Sequence, residues 1–428
     1  MMESLLAMGS SIRMIQFLVY SVALLGAGFY LRSGLSHLGL PMATEATEKP
    51  IEIEECSQLS QKAIQLALPT GDVISRDTRC PVSDAWLADY LHNYYHPTNS
   101  KSKSKSKKKE EFVFLNFGCN KGFDAVQVAA DVSGDHQLFD KQKWYTHLEI
   151  NTKAIRRPNG VCHQGEVDSN SNNTIHKKKK HSHDKPHKVQ VHCVEAMPQT
   201  VSKLQHAATA TKADKHGIHI HNYALVGNNA PSTILFPNPP GKGGVEHMGI
   251  GSCQEEKYKK HCKQVPAITI DNYVAQHVST STSTTRIPFV SIDVEGYDFT
   301  LMKAAPDTLQ RTDYLEFEFH SHGDWANQTL HDATDMLEQF GFVCYWAGQN
   351  QLWRISSCWM DVYGSFHGWS NVACVNPLHQ PGLAAKMEHV FEASQEAALL
   401  NIDIIDNNKP PRKKSNKNKN KSTATQQP

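Results

Sequence analysis

From Phe112 onward the chain alternates apolar runs of strand length with stretches of helical periodicity, and few folds accept that pattern. The runs are FVFLNF (Phe112–Phe117), VQVHCV (Val189–Val194), GIHIHNYAL (Gly217–Leu225), IPFVSIDV (Ile287–Val294), YLEFEF (Tyr314–Phe319), FVCYW (Phe342–Trp346) and NVACV (Asn371–Val375). Parallel strands need a crossover, usually a helix, and helices on both faces make the strands apolar throughout. The expectation is therefore an α/β domain with a mostly parallel, seven-stranded sheet built from βαβ units. Helices are expected at Phe123–Ala130, at Met197–Ala208 and at Asn327–Phe340. Pro198 falls in a first turn, where its missing N–H costs nothing. Leu330, Thr334, Leu337 and Phe340 share one helical stripe, with Gly341 placed as a C-terminal cap.

This pattern occupies about 111–405. Before it lie residues 1–40, with the apolar stretch Met14–Leu31, and a polar stem at 41–110. The stem has one helix expected around Asp84–Tyr95 and ends in the run KSKSKSKKKEE. Residues 153–188 are polar and His/Lys-rich, and read as an insertion between the first two strands. Its run HKKKKHSHDKPHK is taken as a solvated loop rather than a metal site, although imidazoles are good ligands. The Lys/Asn-rich residues 406–428 have the composition of a disordered tail.

Charge narrows the function. Lys101–Glu111, Lys177–Lys188 and Lys409–Lys421 hold 19 of the 44 Lys and Arg but three of the 43 acids. The rest of the chain has 25 bases against 40 acids, so an acidic body carries basic tethers. A nucleic-acid binder needs its cations on the folded face that tracks phosphates, so no nucleic-acid partner is expected.

Met14–Leu31 is uncharged, 18 residues long and flanked by Arg13 and Arg32. It reads as a single N-terminal transmembrane helix, a signal anchor, with a cleaved signal peptide as the rival. The balanced arginines leave orientation open. The sequons at Asn172 and Asn327 suit a lumenal domain, in an endomembrane such as the Golgi or endoplasmic reticulum. Ten cysteines without a CxxC pair argue against both a disulfide framework and a structural zinc site, and no metal is expected. Most read as buried small hydrophobes, with Cys253 and Cys262 able to close a loop.

In open parallel sheets, ligands bind beyond the C-terminal strand ends. The first run ends in Asn116-Phe117-Gly118-Cys119-Asn120-Lys121-Gly122 and leads straight into a helix. Gly118 and Gly122 allow a sharp turn and close approach to a ligand. The GxGxxG spacing of dinucleotide binders is absent. The second run ends in Glu195, and an acid there commonly binds both ribose hydroxyls about 20 residues past the glycine loop. The gap from Gly118 to Glu195 is 77 residues, which the insertion accounts for. Asp293 and Glu295 follow the fourth run in an i, i+2 relation that would project both to one side. Glu316 and Glu318 share a face of the fifth run, with His320 beyond them as a candidate proton acceptor.

FLNFGCNKGFDAV, HCVEAMPQTVSKL, ITIDNYV, VSIDVEGYDFTLMKAA and YLEFEF, in this order, resemble the signature segments of the FkbM-type methyltransferase family. CNKGFDA and CYWAGQNQLWRI with NVACV are most similar to its algal-type branch. The resemblance implies a Rossmann-like class I methyltransferase domain that uses S-adenosylmethionine and methylates hydroxyl oxygens of sugars or small metabolites. It places Gly118, Asn120 and Gly122 around the methionine part of the cofactor and Glu195 on the ribose. Asn222 and Ala224 fall on the adenine side, and Asp293 at the reaction centre. Asn116 stands where the family usually has Asp, which would bear on the cofactor's cationic end. An amide accepts hydrogen bonds there but supplies no charge. The mechanism expected is orientation of an acceptor hydroxyl by Asp293 or Glu295, with His320 as base. The alternative is a membrane-anchored protein that binds through this fold without catalysis.

Overall fold

A computed structural model describes residues 56–68, 85–95, 111–148, 187–244, 248–278, 286–348, 351–364 and 369–407. Met14–Leu31, the Ser/Lys run, most of the insertion, the tail beyond 407 and the sequon at Asn172 lie outside the described residues. Among the described residues no helix is long and apolar enough to cross a membrane.

Strands β1 (Phe112–Phe117), β2 (Val189–Glu195) and β3 (Ile218–Asn222) run parallel to one another. A short strand β4 (Ala224–Leu225) leaves the main sheet and joins β5 (Thr233–Pro237) and β6 (Cys262–Ile268) in a second sheet, ordered β4-β6-β5. The chain then returns to the main sheet with β7 (Ile287–Ile292), β8 (Thr312–Phe319), β9 (Val343–Ala347), β10 (Leu352–Arg354) and β11 (Ser370–Val375). The main sheet is ordered β10-β9-β11-β8-β7-β1-β2-β3. β7 pairs in parallel with both β1 and β8, while β11 and β10 are antiparallel to their neighbours.

The α/β, mostly parallel architecture matches the expectation from the apolar runs, and two features differ. Among the described residues the main sheet has eight strands, not seven. β10 has three residues, too few to register as a run, and it closes a hairpin in which Gly348 N–H donates to Gln351 O. The run Gly217–Leu225 serves two sheets, because the chain breaks from the edge of the main sheet at Tyr223. The stem is also not a spacer throughout. Its helices Gln58–Ala67 and Ala85–Tyr95 bury Ile64, Leu87 and Leu91 in the main core. Ser60 Oγ donates to Gln395 Oε1 and Tyr90 OH to Gln380 Oε1, tying both helices to the segment that forms the helix Pro381–Asn407.

The cysteines correct the sequence reading except at Cys253 and Cys262, which close a loop as expected. Among the described residues, four disulfides join Cys56 to Cys358, Cys119 to Cys193, Cys253 to Cys262 and Cys344 to Cys374. Sequence spacing reveals the third alone, because its partners are 9 residues apart while the others are 302, 74 and 30 apart. The sheet creates those pairs: Cys344 and Cys374, for example, face each other across β9 and β11. Disulfides persist in oxidising compartments and are rare in the cytosol.

At the β2–β3 edge, one face gathers His192, His219 and His221 from the strands and Tyr273 and His277 from the helix Ile270–His277. His192 Nδ1 lies 3.1 Å from Tyr273 OH, and Nε2 has no hydrogen-bond partner among the described residues. Tyr223 packs against His277, and Glu111 acts on His219 from the start of β1. No described group of three or more His, Cys, Asp or Glu is arranged to hold a metal ion. Burial, then repulsion from the neighbouring imidazoles, pushes His192 down to about 3, and the same causes push His221 to about 4.

A histidine depressed in the folded state is protonated first in the unfolded chain, so it costs stability as pH falls below about 6.5. At pH 5 His192 should cost about 2 kcal/mol, with less from the partly exposed His221. Asp298 and Glu316, whose carboxyls burial raises, titrate in the opposite sense. The informative quantity is therefore the stability difference between wild type and His192→Gln. Urea unfolding at pH 7.5 and 5.0 should move that difference by about 2 kcal/mol in favour of the variant, and no movement would refute the burial argument.

Candidate active site

The C-terminal ends of β1, β2 and β7 meet at the point where strand order reverses, and a cleft of about 700 Å³ opens there. This is the crevice where open α/β sheets bind ligands.

One wall is the glycine loop, of which Gly118 and Asn120 line the cleft while Gly122 is buried against Trp144 and Leu204. Gly118, Asn120 and Gly122 all take left-handed backbone angles, with φ of 85°, 46° and 70°. Gly118 N–H and Cys119 N–H both donate to Val194 O, which seats the loop on β2. A side chain on Gly118 would overlap the carbonyl oxygen of Asp293, so the β1 and β7 ends touch through backbone alone. Asp293 N–H donates to Phe117 O at 2.8 Å in the same junction. Gly122 caps the helix Phe123–Ser133, whose first turn sets backbone N–H groups outside the helical ladder and so favours an anionic or polar ligand.

Glu195 stands at the end of β2 with its carboxylate fixed from two sides. Oε2 accepts from Asn120 N–H at 3.0 Å and Oε1 from Met197 N–H at 2.8 Å. A carboxylate has about four lone-pair sites, so acceptor capacity remains for a ribose diol. Burial raises the carboxyl above its usual range, while those two N–H groups and that of Ala196 pull it back.

The opposite wall is Asp293, Val294, Glu295 and Tyr297. Asp293 is solvent-exposed into the cleft. Both carboxylates line the cleft as the sequence suggests, but not through strand pleat: β7 ends at Ile292, and Glu295 sits in a turn at φ 57°. Buried Asp298 holds that turn by accepting from Val294 N–H and Gly296 N–H at 3.3 and 3.2 Å. Its carboxyl is raised to about 7 by burial, against the pull of His320.

Three other expected site residues are brought near but not onto the wall. His320 is 1% exposed, and its Nδ1 already accepts from His322 N–H at 2.9 Å. It lies beneath Gly296, so it supports the turn rather than facing an acceptor. Asn222 donates from Nδ2 to the carbonyls of Glu195 and Ala196, both at 2.9 Å, and so braces the loop after β2. Neighbouring Ala224 does line the cleft. Asn116 is buried on the face of β1 that also carries Ser291 and Glu316 in register, and its Nδ2 has no partner among the described residues. Glu316 is raised by burial and by Asp124 and Asp293, so an acid at 116 would add charge to a face already crowded with it.

Sequence reasoning misses the roof. Phe236 from β5 and Met248, Gly249 and Ile250 cover the cleft, and Met197, Ala224, Phe236, Met248 and Val265 form a small core of their own. The run TILFP, flanked by Asn, Ser and Pro, is the available signal, but it is short and has no clean alternation.

Residues 163–344 match the family model of the methyltransferase FkbM domain. The chain carries an FkbM-type methyltransferase domain. The matched residues hold Glu195, Asp293, Glu295 and His320, while the glycine loop precedes them and joins the FkbM site through the pairing of β1 with β2 and β7. No curated protein matches the chain.

Proposed function

We propose that this FkbM domain transfers the methyl group of S-adenosylmethionine to a hydroxyl oxygen of a sugar or other small acceptor. The observation that carries this reading is the Glu195 carboxylate, held by two backbone N–H groups at the mouth of the glycine loop and open to the cleft. In it Glu195 takes the ribose, Gly118 and Asn120 lie along the methionine part, and Ala224 lies on the adenine side with Asn222 bracing the loop. The bound cofactor supplies an electrophilic methyl group.

The protein's part is to orient the acceptor and take its proton. Asp293 and Glu295 fit that role, since both face the cleft across from Glu195. Three carboxylates around one cleft disfavour an anionic acceptor and suit a polyol or glycan. The four disulfides, the exposed sequon at Asn327 and the apolar Met14–Leu31 support a membrane-anchored protein with its domain in an oxidising lumen.

The test supplies methyl-labelled cofactor and a membrane extract to the full-length chain. Label is expected in a glycan or small-metabolite fraction, and its absence from every fraction would leave the reading as a binding protein without catalysis. Asp293→Asn should lower transfer at least about 100-fold. Its S-adenosylhomocysteine affinity should stay near that of wild type by calorimetry; an unchanged rate would remove Asp293 from the chemistry.

A further inference from the structure

Behind the Glu195 wall lies a covalent tie. Cys119 sits between Gly118 and Asn120, and Cys193 precedes Glu195 by two residues on β2. The two are joined with Cα atoms 5.2 Å apart, and both are buried. Besides the disulfide and the Asn120 N–H bond to Glu195, hydrogen bonds of the loop backbone hold it in place. Gly122 N–H donates within it to Cys119 O, and Trp144 Nε1 donates to Lys121 O at its far end. The two N–H groups that seat it on β2 share the single acceptor Val194 O. Three of its five residues from Gly118 to Gly122 are left-handed, a conformation that asparagine at 120 adopts only at some cost.

We propose that the Cys119–Cys193 disulfide is a positioning element of the cofactor site, holding the loop against β2 so that the Asn120 N–H and the Glu195 carboxylate meet. The inference rests on the cofactor reading above. It differs from a general stabilising role, because every disulfide that closes a chain loop stabilises the fold by restricting the unfolded chain. A positioning role adds linkage: whatever the disulfide does for cofactor binding, bound cofactor must do for the disulfide.

The experiment compares full-length wild type with C119A/C193A and with C344A/C374A, which removes a disulfide from the β9–β11 pair instead. C119A/C193A should bind S-adenosylhomocysteine about 10-fold or more weakly and raise KM for the methyl donor likewise. Its KM for the donor should rise by a larger factor than its kcat falls. C344A/C374A should lower the melting temperature and leave affinity unchanged. A folded C119A/C193A that binds as wild type overturns the proposal.

Should that variant fail to fold, wild type decides the question through equilibration in a thiol–disulfide redox buffer followed by peptide mapping. Saturating S-adenosylhomocysteine should shift the Cys119–Cys193 couple about 10-fold toward the disulfide relative to Cys344–Cys374. An equal shift of both, or free thiols at 119 and 193 before equilibration, overturns the proposal. Wild type that binds no S-adenosylhomocysteine at all overturns the cofactor reading itself.

Discussion

Replacing Glu195 by alanine is expected to weaken S-adenosylhomocysteine binding by at least about 100-fold, the worth of two charge-assisted hydrogen bonds at about 1.5–3 kcal/mol each. The loss has two sources. The ribose diol loses its acceptors, and Asn120 N–H and Met197 N–H lose the carboxylate they now donate to. Glu195→Gln separates them. Its single amide oxygen satisfies one backbone donor, and its NH₂ opposes the other, so affinity should fall to an intermediate value. Calorimetry with both variants checks the assignment. Alanine at 195 with wild-type affinity would remove Glu195 from the cofactor site, with the family of the domain unaffected.

Gly118→Ala should be more damaging still to the fold of the site. The added methyl meets the Asp293 carbonyl, a backbone group in the β7 junction, and not a side chain that can swing away. The residue is also at φ 85°, where a Cβ is strained even in open space. Strain and overpacking together are expected to cost about 2–4 kcal/mol and to push the β1 loop off β7, abolishing measurable cofactor binding. Gly241→Ala provides the comparison. It too is left-handed, at φ 69°, but its Cβ would meet nothing within 4 Å. It should cost about 1 kcal/mol and leave binding intact. Equal effects at both positions in thermal unfolding would mean that conformation, and not the Asp293 contact, governs Gly118.

Much of this architecture is legible in the order of residues. Strand-length apolar runs with helical stretches between them dictate a parallel sheet, because a chain has few other ways to bury both faces of such strands. The positions of Gly118, Glu195 and Asp293 at run ends then point to the crevice. Pattern fails as a guide where identity of residue and neighbour in space part company. His320 looks like a base because it follows an acidic strand, yet a backbone N–H from His322 occupies a ring nitrogen that could accept the proton. The cysteines look like isolated hydrophobes, since a separation of 74 or 302 residues carries no sign of contact.

The sequence by itself determined the fold class and which strand ends bear carboxylates, because periodicity and residue type are local properties of the chain. Tertiary structure alone decided that the stem helices belong to the core, that a second small sheet roofs the cleft, and that Cys119 closes on Cys193 behind Glu195. Each of those is a contact between segments far apart in the chain. Such contacts are fixed by how the strands order themselves, and no local pattern encodes that order.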